Sequence, residues 1–275
     1  MHCGDSGGRS RSEALVLSAP LESRADEPRT LSLVVPVYNE SGRLSILFDV
    51  LETEAEREAR AAGLELVEVI VVNDGSTDET PALVEAHAAH DSRVRLISFE
   101  RNRGKGAAVR AGVLSAGSDL ALVADVDGST PMSELGPLVS ALREGNDMAI
   151  GSRDLPGSNV IVHQPAHREL MGKTFNFLFR VLTGLRIHDT QCGFKLFHLP
   201  RTRILFELQR IDGFAFDAEL CINASRLGLR IAEVPVAWID NRDTKVRLLG
   251  SSVQMAADLF RAAWLAHRPL PSPRP

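Results

Sequence analysis

The chain has 275 residues, a formal net charge of −5, 44% hydrophobic residues and 24% charged residues. This length allows one large domain or two modest ones, and the composition is ordinary for a globular protein. The negative charge argues against a general nucleic-acid binder, so no nucleic-acid partner is expected. The three cysteines Cys3, Cys192 and Cys221 form neither a disulfide framework nor a zinc pattern, which indicates a reducing compartment.

The two ends of the chain differ in composition from its centre. Residues 1–29 are rich in Ser, Gly, Arg and acids without periodicity, and residues 268–275 are rich in proline, which predicts a disordered tail at each end. The N-terminus lacks a signal-peptide pattern, and no stretch reaches the roughly 18 apolar residues of a transmembrane helix. We therefore expect a cytoplasmic protein that contacts a membrane peripherally, at its inner face.

Between the tails, apolar β-type segments alternate with helical patterns. The first half predicts strands over 31–37, 66–72, 94–99, 120–124 and 148–150, and helices over 44–62, 78–90, 105–116 and 133–143. The less regular second half predicts helices over 169–183, 216–227 and 251–266, and strands over 194–197 and 229–236. Such alternation predicts an α/β fold in which a mostly parallel central sheet is covered by helices on both faces. We interpret residues 30–267 as one continuous domain.

Two carboxylates, Asp125 and Asp127, follow the predicted strand 120–124. In open α/β sheets, ligands bind outside the carboxyl ends of the strands. Mg²⁺ is usually held by one or two carboxylates together with substrate phosphates. The pair is therefore a candidate metal–nucleotide site, and the alternative is a solvated turn, because Asp-x-Asp is common by chance.

Two earlier strand ends also carry polar residues. Tyr38 follows the first strand and could stack on a base, whereas the alternative is a simple strand-to-helix turn with Asn39 as the N-cap. After the second strand, Asp74 could accept a hydrogen bond from a base imide N–H, and Gly75 would let the backbone come close. The alternative there is a turn in which Ser76, Thr77 or Asp78 caps the next helix.

The segment 102–106, Asn-Arg-Gly-Lys-Gly, precedes the predicted helix 105–116. Two glycines, a lysine and a helix N-terminus can face phosphate oxygens. The spacing is not that of a P-loop, and a plain loop is the alternative.

These four segments occur in order, each after a predicted strand, and are followed by the run 189–197, Asp-Thr-Gln-Cys-Gly-Phe-Lys-Leu-Phe. In this combination the chain resembles the family 2 glycosyltransferases of the GT-A fold over residues 31–264. Within them it is most similar to the dolichyl-phosphate β-glucosyltransferase branch, near the polyprenol-phosphate mannose synthases. The run 189–197 is the most specific part of the resemblance.

The resemblance implies a GT-A (nucleotide-diphospho-sugar transferase) fold with a nucleotide-sugar half, 30–130, and an acceptor half, 131–267. It places the base and ribose of the donor against Pro36, Tyr38, Glu40 and Asp74. Asp125 and Asp127 would carry the divalent metal, Mg²⁺ or Mn²⁺, that bridges the donor diphosphate, and Lys105 would add positive charge nearby. Because charge builds on the leaving nucleoside diphosphate, Asp127 and Lys105 count as catalytic residues.

On the acceptor side, the resemblance implies that Arg153 and Arg168 bind the acceptor phosphate, a task that suits guanidinium groups. Asp217 matches an acid that is the general base in relatives with hydroxyl acceptors. Because a phosphate acceptor is already ionised, we expect Asp217 to have a positioning or electrostatic role, while Glu219 caps or braces its helix. Lys245 matches, loosely, a basic loop that closes over the donor diphosphate.

The predicted helix 169–183 carries more apolar side chains than one core-facing stripe requires, and basic residues flank it. Such a helix can lie in a bilayer interface, and the alternative is a helix buried between the sheet and the C-terminal helix. Dolichyl-phosphate relatives often carry transmembrane anchors, for which this chain shows no sequence pattern.

The resemblance thus implies an inverting glycosyltransferase that moves a hexose, glucose from UDP-glucose, to a polyprenyl or dolichyl phosphate. The alternatives within the class are a GDP-mannose donor and a soluble hydroxyl acceptor. A sugar nucleotidyltransferase would instead carry a glycine-rich signature after its first strand, where this chain has Pro-Val-Tyr-Asn-Glu. A non-catalytic nucleotide-binding protein would not need both donor and acceptor motifs.

Overall fold

The computed structural model of the chain describes residues 27–162, 166–240 and 257–264, and for residues 166–168 the backbone alone. The predicted tails lie almost wholly outside the described residues. Of the predicted helix 251–266, residues 257–264 are described, and they are helical.

The elements of the described chain follow the predicted alternation. The strands are β1 (Thr30–Val37), β2 (Glu65–Asn73), β3 (Val94–Ser98), β4 (Leu120–Val123), β5 (Met148–Ser152), β6 (Asn159–Val162), β7 (Lys195–His198), β8 (Ile231–Pro235) and β9 (Ala237–Ile239). The helices are α1 (Leu44–Val50), α2 (Glu56–Ala61), α3 (Thr80–Ala88), α4 (Lys105–Ser115), α5 (Leu135–Arg143), α6 (Ala166–Thr183), α7 (Leu199–Leu208) and α8 (Phe216–Arg226). A π-helical turn, Leu51–Ala55, joins α1 to α2, so the predicted helix 44–62 is one helical stretch with a wider central turn.

Three elements were not predicted from the sequence: β6, α7 and β9. Strand β6 has four residues and pairs only with the three-residue β9, so neither has enough alternation to be recognised. Helix α7 follows β7 without a loop to mark its start. Pro200 lies in its first turn, where a proline is tolerated because the backbone N–H groups there have no intrahelical partner.

A seven-stranded sheet has the order β3-β2-β1-β4-β7-β5-β8. Strand β7 is antiparallel to both of its neighbours, and the other pairs are parallel, which confirms the predicted mostly parallel sheet. The parallel strands therefore end at one edge of the sheet, and the segment that leads into the reversed β7 lies at that same edge.

The core lies on both faces of this sheet, as the prediction required. Alternate residues of β1 divide between two buried clusters: Leu33 packs with residues of α1, α2 and α5, whereas Val34 packs with residues of α4, α7 and α8. Residues Phe175 and Phe179 of α6 join the second cluster. Helices therefore cover both faces of the sheet. The side chains at the carboxyl ends of its parallel strands are the candidates for the site.

Candidate active site

The acid pair lies at this edge, just beyond β4, and is matched by two cations. The Lys105 ammonium is 2.6 Å from Oδ1 of Asp125, and the Arg43 guanidinium is 3.9 Å from Oδ2 of Asp127. The backbone N–H of Ser129 donates to Oδ1 of Asp127 at 3.0 Å. Both carboxylates are partly exposed, so a ligand can reach them without unfolding the edge.

The electrostatics of the acid pair favour an incoming positive charge. Burial, and then the negative charge of Asp125, raise the pKa of Asp127 above its ordinary value. Burial alone would lower the pKa of the Lys105 ammonium, but the nearby carboxylates, led by Asp125 and Asp217, raise it above its ordinary value. Lys105 is therefore cationic near neutral pH, and the two acids repel each other enough that a cation between them would stabilise both.

The run 189–197 packs directly against the acid pair. A Cβ atom built on Gly193 would lie 2.5 Å from Cγ of Asp125, closer still to its Oδ2 atom, and 3.0 Å from its Oδ1 atom. Only a glycine allows the chain to pass this close to the carboxylate. The sequence analysis recognised this run as specific, and the structure shows one physical reason for its glycine.

The loops after β1 and β2 are tied to each other by hydrogen bonds. The backbone N–H groups of Asn39 and Glu40 donate to the hydroxyls of Ser76 and Thr80, both at 2.8 Å. Asn39 accepts a hydrogen bond from the N–H of Thr77 and has a positive φ of 54°. The alternative of Asn39 as the N-cap of the following helix is wrong, because that helix begins at Leu44 and its N-cap is Arg43.

Asp78 strengthens the same junction. Its carboxylate accepts the backbone N–H of Thr80 at 3.0 Å and that of Ser41 at 3.2 Å. Burial opposes ionisation, but the hydrogen bonds from Thr80 and Ser41 together outweigh it and lower the pKa of Asp78 to about 2. The two donor-side loops therefore form one braced unit.

The residues predicted to contact base and ribose lie on or beside this unit. Tyr38 is 43% exposed, which leaves its ring accessible for stacking, and Pro36 lies in β1, one residue before its end. The Glu40 carboxylate is bound at both oxygens by Arg43, at 2.6 and 2.5 Å. Since Arg43 also approaches Asp127, Glu40 is linked through one guanidinium to the acid pair.

Asp74 is buried and accepts the backbone N–H groups of Arg103 and Gly104, at 2.7 and 2.9 Å. Burial raises its pKa above the ordinary value against these hydrogen bonds. It thus holds the loop that leads into α4, and Gly75, with a φ of +72°, passes within Cβ-clash distance of the backbone of Arg101. A carboxylate oxygen can accept more than one hydrogen bond, so a base contact at Asp74 stays a prediction compatible with this geometry.

Asp217, in the first turn of α8, forms a buried ion pair with Lys195. Lys195 Nζ is 2.7 Å from Oδ1 of Asp217, and the side chains are 3% and 6% exposed. Burial raises the pKa of Asp217 above its ordinary value, while the charges of Lys195 and Lys105 oppose that rise. Lys195 was not among the predicted site residues, although a lysine inside the apolar run Phe-Lys-Leu-Phe is a visible signal in the sequence.

Glu219, two residues after Asp217 in α8, braces a loop rather than the site itself. It accepts the N–H groups of Arg210 and Ile211 at 2.9 and 2.8 Å. The same loop contacts the start of α4, where the carbonyl of Asp212 accepts the N–H of Ala107 at 3.1 Å. Glu219 was expected to cap or brace its own helix, and the part that it holds is instead the loop before that helix.

Arg153, at the carboxyl end of β5, forms a two-pronged ion pair with the fully buried Asp189. Its Nε and Nη2 atoms lie 2.6 and 2.9 Å from the two carboxylate oxygens. Glu233 fixes this acid by accepting the backbone N–H of Asp189 at 2.8 Å, and Trp238 presents its ring 5.3 Å from the guanidinium carbon. Arg153 is therefore held in one orientation at the edge of the sheet.

Two predicted site residues are not located in detail. Lys245 lies outside the described residues, and Arg168 belongs to α6 in a part where the backbone alone is described. Among the residues that the structure describes, no group of three or more His, Cys, Asp and Glu side chains suits a metal ion. A metal at Asp125 and Asp127 would therefore complete its coordination with substrate oxygens.

Helix α6 has both a buried and an exposed apolar face. Phe175 and Phe179 are buried in the core, whereas Leu170, Phe177 and Val181 are 66%, 58% and 63% exposed. The predicted surplus of apolar surface is confirmed, and the alternative of a helix buried between the sheet and the C-terminal helix holds only for the face of Phe175 and Phe179. None of the helices in the described ranges is long and apolar enough to cross a membrane.

The profile of the glycosyl transferase family 2 matches residues 32–200 of the chain. The chain belongs to this family. The matched segment runs from β1 into α7 and contains the braced donor-side loops, the acid pair, Arg153 and the run 189–197. The enzyme class expected from the sequence, a glycosyltransferase, is thereby confirmed.

Other family 2 glycosyltransferases extend the similarity beyond the profile. A dolichyl-phosphate beta-glucosyltransferase of Trichomonas vaginalis is 36% identical over 254 residues, which cover 90% of this chain and 77% of that protein. The Homo sapiens dolichyl-phosphate beta-glucosyltransferase is 36% identical over 249 residues, covering 87% and 77%, and that of Saccharomyces cerevisiae is 33% identical over 264 residues, covering 89% and 78%. The branch that the sequence analysis named is thus the one represented among these relatives.

Solved structures confirm the GT-A fold of this glycosyltransferase. Glucosyl-3-phosphoglycerate synthase of Mycobacterium tuberculosis, in complex with UDP, superposes with a TM-score of 0.61 at 23% identity, covering 86% of this chain and 80% of that one. Another structure of the same synthase, with a TM-score of 0.61 at 22% identity and the same coverage, contains Mn²⁺, UDP-glucose and phosphoglyceric acid. At this level of identity the likeness is one of fold.

Proposed function

We propose that this glycosyltransferase moves glucose from UDP-glucose to a dolichyl or other polyprenyl phosphate and inverts the anomeric centre to give a β-linked product. One observation carries the proposal: 33–38% identity to dolichyl-phosphate beta-glucosyltransferases over at least 84% of the chain. The contacts at the acid pair, on the braced loops and at Arg153 support it, with a donor half in residues 30–130 and an acceptor half in residues 131–267.

On the donor side, the diphosphate of the nucleotide sugar would lie between the acid pair and the start of α4. Asp125 and Asp127 would hold a divalent metal, Mg²⁺ or Mn²⁺, which when bound neutralises charge on the leaving diphosphate. The residues present fit such a metal, since they are two partly exposed oxygen ligands, and burial together with the charge of Asp125 raises the pKa of Asp127. Pro36, Tyr38, Glu40 and Asp74 would contact the base and ribose on the braced loops. Lys245 is kept as a predicted donor contact on the basis of the resemblance alone.

Lys105 would stabilise the leaving group from the protein side. Its ammonium, at the first residue of α4, pairs with Asp125 at 2.6 Å and is 20% exposed. The helix N-terminus adds its own positive end to the same region. An anionic diphosphate that arrives here meets a cation already held in place, so little reorganisation is needed as negative charge develops.

On the acceptor side, Arg153, and Arg168 by resemblance, would bind the acceptor phosphate. The phosphate oxygen that attacks the anomeric carbon is already ionised near neutral pH, so no strong general base is required. The buried ion pair of Asp217 with Lys195 supports a positioning role for this acid, because the ammonium 2.7 Å from Oδ1 holds the carboxylate in one place. Catalysis then comes mainly from orientation and from stabilisation of the leaving group.

The exposed face of α6 supports a peripheral position at a membrane surface, where a polyprenyl phosphate would be presented. Leu170, Phe177 and Val181 are spaced so that they lie on one side of this helix, opposite Phe175 and Phe179. An amphipathic helix of this kind can insert its apolar face at the level of the lipid headgroups. The acceptor phosphate would then stay at the surface, near Arg153.

The test is a donor and acceptor panel with the purified full-length chain. Radiolabelled UDP-glucose and GDP-mannose are each incubated with Mg²⁺ or Mn²⁺ and vesicles that contain or lack dolichyl phosphate, and separately with water-soluble hydroxyl acceptors. We expect label in the lipid phase only with UDP-glucose and dolichyl phosphate. Lipid label from GDP-mannose, or transfer to a soluble hydroxyl in the absence of dolichyl phosphate, would overturn the proposal in favour of the corresponding alternative.

A further inference from the structure

We propose that Lys195 is a positioning residue that fixes the acid pair on the donor side relative to Asp217 on the acceptor side. The proposal depends on one ammonium group that contacts two separate segments of the site. It deepens the proposed function, because it presumes that the acid pair and Asp217 serve sugar transfer.

Strand β7 places Lys195 in the middle of the sheet. Its register partners are Val123 in β4 and Ile150 in β5, and the residue itself is 2% exposed. Side chains alternate along a strand, so Leu196 faces one core cluster and Phe197 the other. Lys195 points to the same side as Phe197, towards α4 and α8. An apolar residue would suit this position without the cost of burying a charge.

The first contact of the ammonium is the carboxylate of Asp217, at 2.7 Å. Both side chains are buried, so neither water nor salt screens the pair to the extent that it screens a surface pair. Asp217 belongs to the first turn of α8, and the ion pair therefore fixes the start of that helix relative to the sheet.

The second contact is the backbone carbonyl of Cys192, which accepts a hydrogen bond from the same ammonium. The next residue, Gly193, lies against the carboxylate of Asp125 with no space for a side chain. The carbonyl of Phe194 is in turn held by the N–H of Gly151 at 2.9 Å. The turn behind Asp125 is thus fixed on one side by β5 and on the other by Lys195.

The charges around this ammonium predict what its removal does. The acids Asp125, Asp127 and Asp217 all act on Lys105, and Asp217 also pairs with Lys195. Without the Lys195 charge, Asp217 is buried without its nearest counter-charge and draws Lys105 away from Asp125. The turn at Gly193 loses its anchor at the same time. Both changes displace groups around the leaving diphosphate, and they act on kcat more than on donor binding.

The experiment compares Lys195→Met, Asp217→Asn and the double variant in the full-length enzyme. The matched control is Arg201→Met, which removes the cation 3.0 Å from the buried Asp147, at the start of β5 and so at the opposite edge of the sheet. We measure kcat and KM for the donor, the melting temperature, and Mn²⁺ binding in the presence of UDP by electron paramagnetic resonance.

We expect Lys195→Met to lower kcat about 100-fold, the loss typical of groups displaced by about 1 Å, with the KM for the donor within about threefold. The double variant, a neutral pair that can be buried without a counter-charge, should keep the native melting temperature and lose about as much kcat as the single variants, because residues that act as a unit are not additive. Mn²⁺ binding should weaken about tenfold in Lys195→Met, through the displaced Asp125, and stay unchanged in Arg201→Met.

Three results would overturn the proposal. A lowered melting temperature with wild-type kcat per folded molecule would make Lys195 merely structural. A double variant with wild-type kcat, or one whose loss is the product of the two single losses, would rule out action through the pair.

If the wild-type enzyme fails to use UDP-glucose, the proposed function fails separately, and the same comparison is made with whichever donor the wild type turns over.

Discussion

The donor side and the acceptor side of this site are built in different ways. On the donor side, the polar groups follow the carboxyl ends of parallel strands, and the loops after β1 and β2 are braced by hydrogen bonds from backbone N–H groups, such as that of Ser41 to Asp78. On the acceptor side, the decisive contacts come from the reversed strand β7 and from ion pairs between side chains, such as Arg153 with Asp189.

The two sides also differ in exposure. The Lys105–Asp125 pair is 20% and 37% exposed at its side chains, whereas Lys195–Asp217 is 3% and 6% exposed. Partly exposed charges can exchange one partner for a ligand, but breaking a fully buried pair leaves an uncompensated charge. The difference in exposure indicates that the donor-side acids are arranged to receive a ligand, whereas the buried ion pairs hold the surrounding segments in position.

The largest effect is expected from removal of the acid pair. Asp125→Ala with Asp127→Ala should lower transfer on the order of 10³-fold or more, because the ligands for the metal and its stabilisation of the leaving group are lost together. The measurement is kcat/KM for UDP-glucose with dolichyl phosphate. The control, Glu52→Ala with Glu54→Ala, removes two acids of the same spacing from the π-helical turn. Full metal-dependent transfer by the first variant would show that these acids do not receive the ligand.

A smaller effect is expected where the two sides meet, at Gly193. Gly193→Ala should lower kcat about 100-fold, since its Cβ would push the Asp125 carboxylate out of place by about an ångström. The control is Gly136→Ala in α5, where a Cβ meets nothing within 4 Å. That change should leave kcat unaltered. Equal kcat values for both variants would mean that the contact between the run 189–197 and the acid pair has no part in the reaction.

On the acceptor side, Arg153→Lys keeps the charge but loses the two-pronged geometry. We expect the KM for dolichyl phosphate to rise about tenfold, which corresponds to one charged hydrogen bond, while the KM for UDP-glucose is unchanged. Steady-state kinetics with vesicles of varied dolichyl phosphate content measure both constants. A rise in the donor KM alone would move Arg153 from the acceptor side to the donor side.

The smallest effect on activity is expected at Asp78, which braces the donor-side loops. Its folded-state pKa of about 2 lies below the ordinary 3.8, so its stabilisation is fully present above pH 3.8 and is lost as the pH falls through 2. Asp78→Ala should therefore lower the free energy of unfolding by about 1–2 kcal/mol at pH 6, and by progressively less towards pH 2. Urea unfolding at pH 6 and pH 3 measures the difference. A difference that stays constant with pH would show that the carboxylate charge does not brace the loops.

Much of the donor side was predictable because its information is local. Strand ends such as Val37, Asn73 and Val123 are bounded by apolar runs, and parallel strands bring their carboxyl ends to one edge. The error at Asn39 concerned the role of a residue within such a turn. Asn39 lies in a left-handed conformation, four residues before the helix N-cap at Arg43, and its side chain accepts the N–H of Thr77. Sequence pattern shows that a turn exists there, and it does not show which donors that turn satisfies.

Most of the strands and helices, the family and the acids at the end of β4 could be predicted, because hydrophobic periodicity and motif order are properties of the chain alone. Three features are visible only in the folded chain: β7 is antiparallel to its neighbours, Gly193 lies against Asp125, and Lys195 pairs with Asp217. Those contacts join segments far apart in sequence, and their energy depends on burial and distance. Neither quantity exists until the sheet has formed.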